Sequence, residues 1–259
     1  MLILRRLRRA VLAAAVVAVA ACAGGDDRPE YVERPVEDLY NEAMDLVESG
    51  NYAEAAAAFE EVERQHPYSR WATRAMFMAA YSYYEARRYD DAILAAERFI
   101  DWNAGSDQVP YAQYLVGMSY YERISDVGRD QRMTAQADEA FTELTRRFPN
   151  TRYARDAELK LDLIRDHLAG KEMEVGRFYL ERNQYVAAIN RFQRVLAEYQ
   201  TTTHVPEALH RMVEAYTALG VMDEARRYAA VLGYNYPGSE WYERTYALVT
   251  DPDLPPVKS

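Results

Sequence analysis

From Val36 onward, apolar residues recur with a helical period, and no alternation typical of a strand lasts long enough to predict one. The segment AFEEVERQHPYSRWA (Ala58 to Ala72) agrees with AFTELTRRFPNTRYA (Ala140 to Ala154) at both ends and in the middle. This agreement indicates an internal repeat, and the chain is therefore interpreted as a series of similar helical units.

Extending this frame gives five repeats that share residue types at fixed positions. Alanine marks each repeat at intervals of 37, 45, 51 and 37 residues, at Ala55, Ala92, Ala137, Ala188 and Ala225. Small residues precede these alanines at Ala43, Ala80, Gly117 and Gly176, and proline closes three repeats at Pro67, Pro149 and Pro237. Small residues let two helices approach closely, and proline ends the second helix. The order of residue types resembles the tetratricopeptide repeat (TPR), a pair of antiparallel helices.

The sequence therefore predicts an all-α fold, an α-solenoid of five TPR helix pairs with a capping helix at Ser239 to Val249. Two irregularities divide the array: about eight extra residues in Ser125 to Thr134, and an unbroken helical run from Tyr153 to Arg182. We expect repeats one to three in residues 36–150 and repeats four and five with the cap in 151–250.

Polar residues and proline mark the expected ends of these elements. Ser69, Thr151 and Ser239 each stand two residues after a proline and are predicted to cap the helices that follow. The Pro-rich residues 251–259 (DPDLPPVKS) are expected to be disordered.

Residues 1–21 have the layout of a cleaved signal peptide, with an arginine cluster followed by an apolar stretch from Ala10 to Ala21. That stretch is too short to span about 30 Å of hydrocarbon. The chain's single cysteine, Cys22, follows in a segment (VAAC) that resembles a bacterial lipobox, which implies lipidation of Cys22. The alternative is an ordinary secretory signal with an incidental cysteine. Residues 22–35 (CAGGDDRPEYVERP) then predict a flexible tether.

Composition excludes several functions. One cysteine supplies neither a disulfide framework nor a thiolate metal site, and the net charge of −10 disfavours nucleic acid as a partner. The four histidines lie far apart in the repeat frame, and no HExxH, GxGxxG or Walker-type motif occurs. We therefore predict no catalytic residue, no metal and no cofactor.

In TPR arrays, the second, fifth, ninth, twelfth and thirteenth positions of the first helix tend to line the concave groove. In repeats one to three these positions predict a trough suited to an extended peptide with aromatic side chains. The candidates are Tyr40, Arg74, Phe77, Tyr81, Tyr84, Tyr111, Tyr114, Met118 and Tyr121. The alternative for each ring is packing on the neighbouring helix. Arg74 is a candidate for a peptide carboxylate or for a neighbouring glutamate.

Repeats four and five carry a more polar set at the same positions, which predicts docking of a partner instead. That set is Gly170, Met173, Arg177, Leu180, Glu181, Glu207, His210, Glu214, Thr217 and Ala218. Arg191 and Arg194, on the second helix of repeat four, are candidates for docking on an acidic patch of a partner. The alternative is that both side chains are simply solvated.

The lipobox, the five repeats and both irregularities together resemble the BamD family of outer-membrane lipoproteins. The resemblance is carried by His66 to Ile100 and most recognisably by Phe148 to Phe192. It implies a non-enzymatic scaffold at the periplasmic face of the outer membrane, anchored by lipid and acting with other assembly lipoproteins. It also implies that the N-terminal repeats receive C-terminal signals of unfolded outer-membrane proteins. The C-terminal repeats would dock on the POTRA domains of a BamA-like barrel subunit. Arg191 falls in the segment Ile189-Asn190-Arg191, which resembles the family segment associated with that subunit.

Two other functions compete with this interpretation. A TPR lipoprotein of a cell-wall or Tol-type division system would lack the long repeat-four helix and often carries a coiled-coil heptad segment, which is absent from this sequence. A lytic transglycosylase would need a separate catalytic domain, for which the residues after repeat five leave no room.

Overall fold

Eleven helices and no strand occur within residues 33–250, the part of the chain that the computed structural model describes. The predicted signal peptide (1–21), Cys22, nearly all of the tether and the tail (251–259) lie outside the described residues. The helices are α1 (Val36–Glu48), α2 (Tyr52–Gln65), α3 (Arg70–Glu85), α4 (Tyr89–Trp102), α5 (Val109–Tyr121), α6 (Arg132–Arg147), α7 (Arg152–Glu181), α8 (Tyr185–Glu198), α9 (Val205–Ala218), α10 (Met222–Asn235) and α11 (Glu240–Val249). They pair as α1–α2 to α9–α10, followed by α11, which confirms the predicted TPR solenoid and its cap.

The predicted helix ends are confirmed. Ser69, Thr151 and Ser239 accept hydrogen bonds from backbone N–H groups three residues on, at N···O distances of 3.0, 3.1 and 3.1 Å. Each bond satisfies an N–H group that has no partner inside the helix. The helices before these caps end two residues ahead of Pro67, Pro149 and Pro237.

Each of the first four repeats closes around a buried aromatic side chain. Phe59, Phe99, Phe141 and Phe192 are completely buried, one in each of the first four repeats. In repeats three and four the opposing residue is glycine because nothing larger fits. A Cβ added at Gly117 would lie 2.5 Å from the ring of Phe141, and one at Gly176 would lie 2.3 Å from the ring of Phe192.

The long helix α7 belongs to two parts of the array. The prediction of a continuous 30-residue helix is confirmed, one residue earlier than expected, at Arg152–Glu181. Its first half buries Ala157, Leu161 and Ile164 in the cluster around Phe141, and its second half buries Met173 in the cluster around Phe192. One helix therefore packs on both the third and the fourth repeat, while the division into two repeat groups stays a prediction.

The extra residues of repeat three form an ordered turn between α5 and α6. The side-chain amide of Gln131 donates to the carbonyl groups of Asp126, Val127 and Arg129. The Nζ atom of Lys171, on α7, donates to the carbonyl oxygen of Gly128 at 3.2 Å. The insertion is therefore held against the middle of the long helix.

None of the helices within residues 33–250 is long and apolar enough to cross a membrane.

Candidate functional site

The first half of α7 extends the row of groove positions that the first three repeats begin. Tyr153 of α7 stacks on Tyr111 of α5, and Asp156 accepts a hydrogen bond from the Tyr114 hydroxyl. Lys160 lies 5.7 Å from the ring centroid of Tyr121. Tyr111 and Tyr114 are the second and fifth groove positions of repeat three. The repeat frame derived from sequence missed these α7 residues because it placed the groove of repeat four further along the helix, from Gly170 onward.

Aromatic rings connect α3, α5 and α7 in an unbroken series. Tyr111 lies between Phe77 of α3, at a centroid distance of 5.5 Å, and Tyr153 of α7, at 4.9 Å. Tyr114 lies 5.6 Å from Tyr153 and 6.0 Å from the buried ring of Phe141. The structure thus brings the predicted tyrosines of repeat three together with a tyrosine that the sequence frame did not select.

We call this surface the aromatic trough. Its members are partly exposed and comprise groove positions of α3 and α5 together with the α7 residues that contact α5: Tyr81, Tyr84, Tyr111, Tyr114, Met118, Tyr121, Tyr153, Asp156 and Lys160. Phe77 lies beneath them, because its side chain is only 8% exposed and packs in the core of the second repeat. For Phe77 the structure therefore favours the packing alternative over a direct ligand contact.

Asp156 is the polar centre of the trough. Its Oδ2 atom accepts from the Tyr114 hydroxyl at 2.6 Å and from Lys160 Nζ at 2.7 Å. Burial acts to raise the pKa of Asp156, but the hydrogen bonds from Lys160 and Tyr114 outweigh it and hold the pKa below its ordinary value. Lys160 also lies 5.9 and 5.7 Å from the ring centroids of Tyr114 and Tyr121, within the range of cation–π attraction.

Burial keeps the hydroxyl groups of Tyr84, Tyr111 and Tyr114 protonated. Burial raises the pKa of Tyr84 and of Tyr111 to about 12, with nearby acidic groups contributing. Burial and the hydrogen bond to Asp156 raise the pKa of Tyr114 as well. The trough therefore offers hydroxyl groups that donate hydrogen bonds, beside apolar ring faces.

Tyr40 of repeat one and Arg74 of repeat two contact Trp71 rather than the rings of this series. The Tyr40 ring packs between Phe59, at 5.4 Å, and Trp71, at 4.7 Å, which ties α1 to α2 and α3. Arg74 is exposed, and its guanidinium group lies 5.7 Å from the Trp71 ring centroid. Tyr40 thus has a clear packing role, and Arg74 lies beside Trp71 on α3.

Three positions of the polar groove expected in the last two repeats, Gly170, Met173 and His210, are buried, and for these three that expectation was wrong. Met173 is completely buried against α8 and α9. His210 is 5% exposed, and its Nδ1 atom lies 2.7 Å from Thr245 Oγ1 of the capping helix α11. Its Nε2 atom lies 3.3 Å from Glu214. The capping helix packs on His210, whereas α8 and α9 cover Met173, so the sequence frame alone misjudged the exposure of both residues.

The two docking candidates meet at one carboxylate. Arg191 and Arg194 lie one turn apart on α8, at 3.1 and 3.0 Å from the carboxylate of Glu172 on α7. The Glu172 side chain is 14% exposed, whereas the two arginine side chains are 38% and 48% exposed. They border a cleft of about 370 Å³ that Tyr179, Ala187 and Asn190 also line. Both arginines therefore combine an internal ion pair with an accessible face.

Histidine, cysteine, aspartate and glutamate form no cluster that could hold a metal ion within residues 33–250.

Comparison with known proteins relates the chain to assembly factors of the outer membrane. The family model described as "YfiO: Outer membrane lipoprotein" matches residues 32–232. The outer membrane protein assembly factor BamD of Caulobacter vibrioides is 49% identical over 255 residues, which cover 96% of this chain and 84% of that protein. The factor of the same name from Rickettsia prowazekii is 44% identical over 246 residues, 95% of this chain and 97% of that protein.

Solved TPR structures resemble it more distantly. A thermophilic TPR protein of Thermus thermophilus is 17% identical, with a TM-score of 0.35, over 83% of this chain and 98% of that one.

Proposed function

This chain belongs to the BamD family of outer membrane lipoproteins, and from that membership we propose that it is a non-enzymatic scaffold of the machinery that assembles β-barrel proteins in the outer membrane. The observation that carries its binding role is the aromatic trough, in which Tyr153 of α7 lies 4.9 Å from Tyr111 and 5.6 Å from Tyr114 of α5. The buried Phe77 ring of α3 supports Tyr111 from beneath at 5.5 Å. A scaffold of this kind acts by holding partners, and the trough and the arginine cleft are the two surfaces suited to do so.

The trough receives C-terminal segments of unfolded outer-membrane proteins that end in an aromatic residue. Partly exposed rings supply apolar faces for such side chains, and the tyrosine hydroxyl groups supply hydrogen bonds for an extended backbone. Preformed helices hold these groups in place, so a disordered peptide meets a surface that is already organised.

Fluorescence anisotropy with a labelled peptide ending in phenylalanine tests this role. Tyr111→Ala should weaken binding about tenfold, because removal of one interface aromatic typically costs about 1–2 kcal/mol. Tyr234→Ala is the matched control, since Tyr234 is 87% exposed on α10 and lies outside the trough. Equal affinity of wild type and Tyr111→Ala would show that these rings serve packing alone.

The arginine cleft docks on the periplasmic POTRA domains of a BamA-like barrel subunit. An acidic side chain of the partner would share Arg191 and Arg194 with Glu172, forming charge-assisted hydrogen bonds. In a pull-down with those domains, Arg191→Glu should lose binding. Arg227→Glu should retain it, because Arg227 is 76% exposed on α10 and does not line this cleft. Retention by both variants would remove Arg191 from the interface.

Lipidation of Cys22 places the scaffold at the periplasmic face of the outer membrane, beside other assembly lipoproteins. Acyl chains contribute about 0.8 kcal/mol per buried CH₂, and more than one chain gives stable anchoring. Metabolic labelling with palmitate should mark the wild type and not Cys22→Ser. A label on Cys22→Ser would contradict this site. Affinity isolation from solubilised outer membranes should recover a barrel subunit and further lipoproteins.

A further inference from the structure

The aromatic trough is electrostatically asymmetric, and Lys160 lies at its α7 side. The Lys160 side chain is 19% exposed and sits between the rings of Tyr114 and Tyr121. A lysine ammonium group carries three N–H donors. One of them binds Asp156, so the others can bind a second acceptor.

Asp156 does not fully neutralise the ammonium group of Lys160. Its carboxylate also accepts the Tyr114 hydroxyl at 2.6 Å, so two donors share its negative charge. Its side chain is 44% exposed, which leaves it in contact with solvent that screens repulsion of a second carboxylate. An incoming anion would therefore meet a partly desolvated ammonium group, neutral tyrosine hydroxyls and ring faces.

The C-terminal ends of α3 and α5 in the trough disfavour an anion. Glu85 and Glu122 end the groove faces of α3 and α5, and both are exposed. Their charges help to raise the pKa of the neighbouring tyrosines, Glu85 at Tyr81 and Glu122 at Tyr84, where burial is the larger cause. A carboxylate placed there would meet like charge, whereas one beside Lys160 would meet opposite charge.

We propose that Lys160 is the subsite for the terminal carboxylate of a peptide bound in the aromatic trough, with the last side chain among the rings of Tyr111, Tyr114 and Tyr153. This assignment rests on the proposed peptide-binding function and specifies the orientation of the bound peptide. The C-terminus lies against α7, and the preceding residues run back across α5 and α3. Arg74, the sequence-based candidate for this contact, lies on α3 beside Trp71 and would require the reverse direction.

The test compares two peptides that end in phenylalanine, one with a free carboxylate and one with a C-terminal amide. Fluorescence anisotropy gives the ratio of their dissociation constants for each protein variant. We expect amidation to weaken wild-type binding about tenfold, as loss of one charge-assisted hydrogen bond does. In Lys160→Gln the ratio should fall close to one, with the amidated peptide bound as in wild type. Lys160→Arg should keep the wild-type preference.

Two matched variants separate a local contact from general attraction. Arg74→Gln and Arg152→Gln each remove one positive charge, and both should retain the preference for the free carboxylate. Circular dichroism melting checks that every variant is folded. A ratio near one in wild type, or an unchanged ratio in Lys160→Gln, overturns the carboxylate subsite.

The outcomes distinguish this inference from the function on which it rests. If both peptides bind and Tyr111→Ala weakens both, yet amidation has no effect, the trough binds peptides and only the Lys160 subsite is wrong. If neither peptide binds the wild type, peptide binding by the trough fails and the subsite fails with it.

Discussion

The rings of Tyr111 and Tyr153 stack 4.9 Å apart with their planes 20° from parallel, and this contact joins α5 to the first turn of α7. Arg152 completes it, since its guanidinium group lies 4.8 Å from the Tyr153 ring centroid and donates to the Tyr153 hydroxyl at 2.8 Å. The contact closes the aromatic trough where the long helix begins. The same rings therefore serve the stability of the array and the proposed binding surface.

Tyr153→Ala should lower the free energy of unfolding by about 1–3 kcal/mol, because it removes both the stack and the buried ring area. Tyr153→Phe keeps the ring and loses only the hydrogen bond from exposed Arg152, so it should stay close to wild type. Urea denaturation of the two variants measures the difference. If Tyr153→Ala unfolds at the same midpoint as Tyr153→Phe, the stack does not hold α7 to α5.

Gly117→Ala should destabilise the protein by about 1–3 kcal/mol, although alanine is ordinarily the better helix former by about 1 kcal/mol. The added Cβ would overlap the buried Phe141 ring at 2.5 Å, and neither side has room to move. Gly105→Ala is the control, since nothing lies within 4 Å of a Cβ built there. Thermal melting compares the two, and a stabilised Gly117→Ala would contradict the close helix approach.

Asp156 should contribute to stability in a pH-dependent way. Its folded pKa is lowered by Lys160 and Tyr114 against the effect of burial, so its contribution is present above the unfolded value of about 3.9. The contribution is lost as the pH falls through the folded pKa. Because the side chain is 44% exposed, we expect it to be at most about 1 kcal/mol.

The unfolding free energies of wild type and Asp156→Asn, measured at pH 6 and at pH 3, test this dependence. Wild type should be the more stable protein at pH 6, and the difference should shrink at pH 3. Asp162→Asn, an exposed change on the same helix, is the control. A difference that stays constant or grows towards pH 3 would contradict the assignment.

Thr245→Val should lower the local stability of the capping helix α11. It removes the partner of His210 Nδ1 at 2.7 Å and leaves a buried ring nitrogen unsatisfied, which costs about 1–3 kcal/mol. Hydrogen exchange should therefore accelerate in α11 and leave α1 to α4 unchanged. Thr201→Val, at an exposed turn, is the control. Unchanged exchange in α11 would show that this pair does not hold the cap.

Local signals in the sequence predicted the elements well. Ser69, Thr151 and Ser239 acted as caps because capping depends on residues only three positions apart. Gly117 and Gly176 were recognised as points of close approach because the repeat frame aligned them with other small residues. Such features depend on short separations or on a fixed period, and both are visible in one chain.

Features that depend on distant contacts were not predictable in the same way. Tyr153 and Lys160 join the trough because the first half of α7 packs beside α5. A repeat frame that is based on the recurring alanines selects only residues in the second half of α7. The burial of His210 depends on Thr245, 35 residues away on a helix whose docking angle the sequence does not encode locally. The agreement of Arg152-Tyr153-Ala154 with Arg70-Trp71-Ala72, which aligns Tyr153 with Trp71, was the signal that could have drawn attention to the start of α7.

The most direct test of the central claim is the level of folded β-barrel proteins in outer membranes of cells depleted of this chain. Heat-modifiable gel mobility measures that level, because folded barrels and unfolded chains migrate differently. A scaffold for barrel assembly predicts that folded barrels decline on depletion and that wild-type protein restores them. Normal levels of folded barrels after depletion would contradict the account.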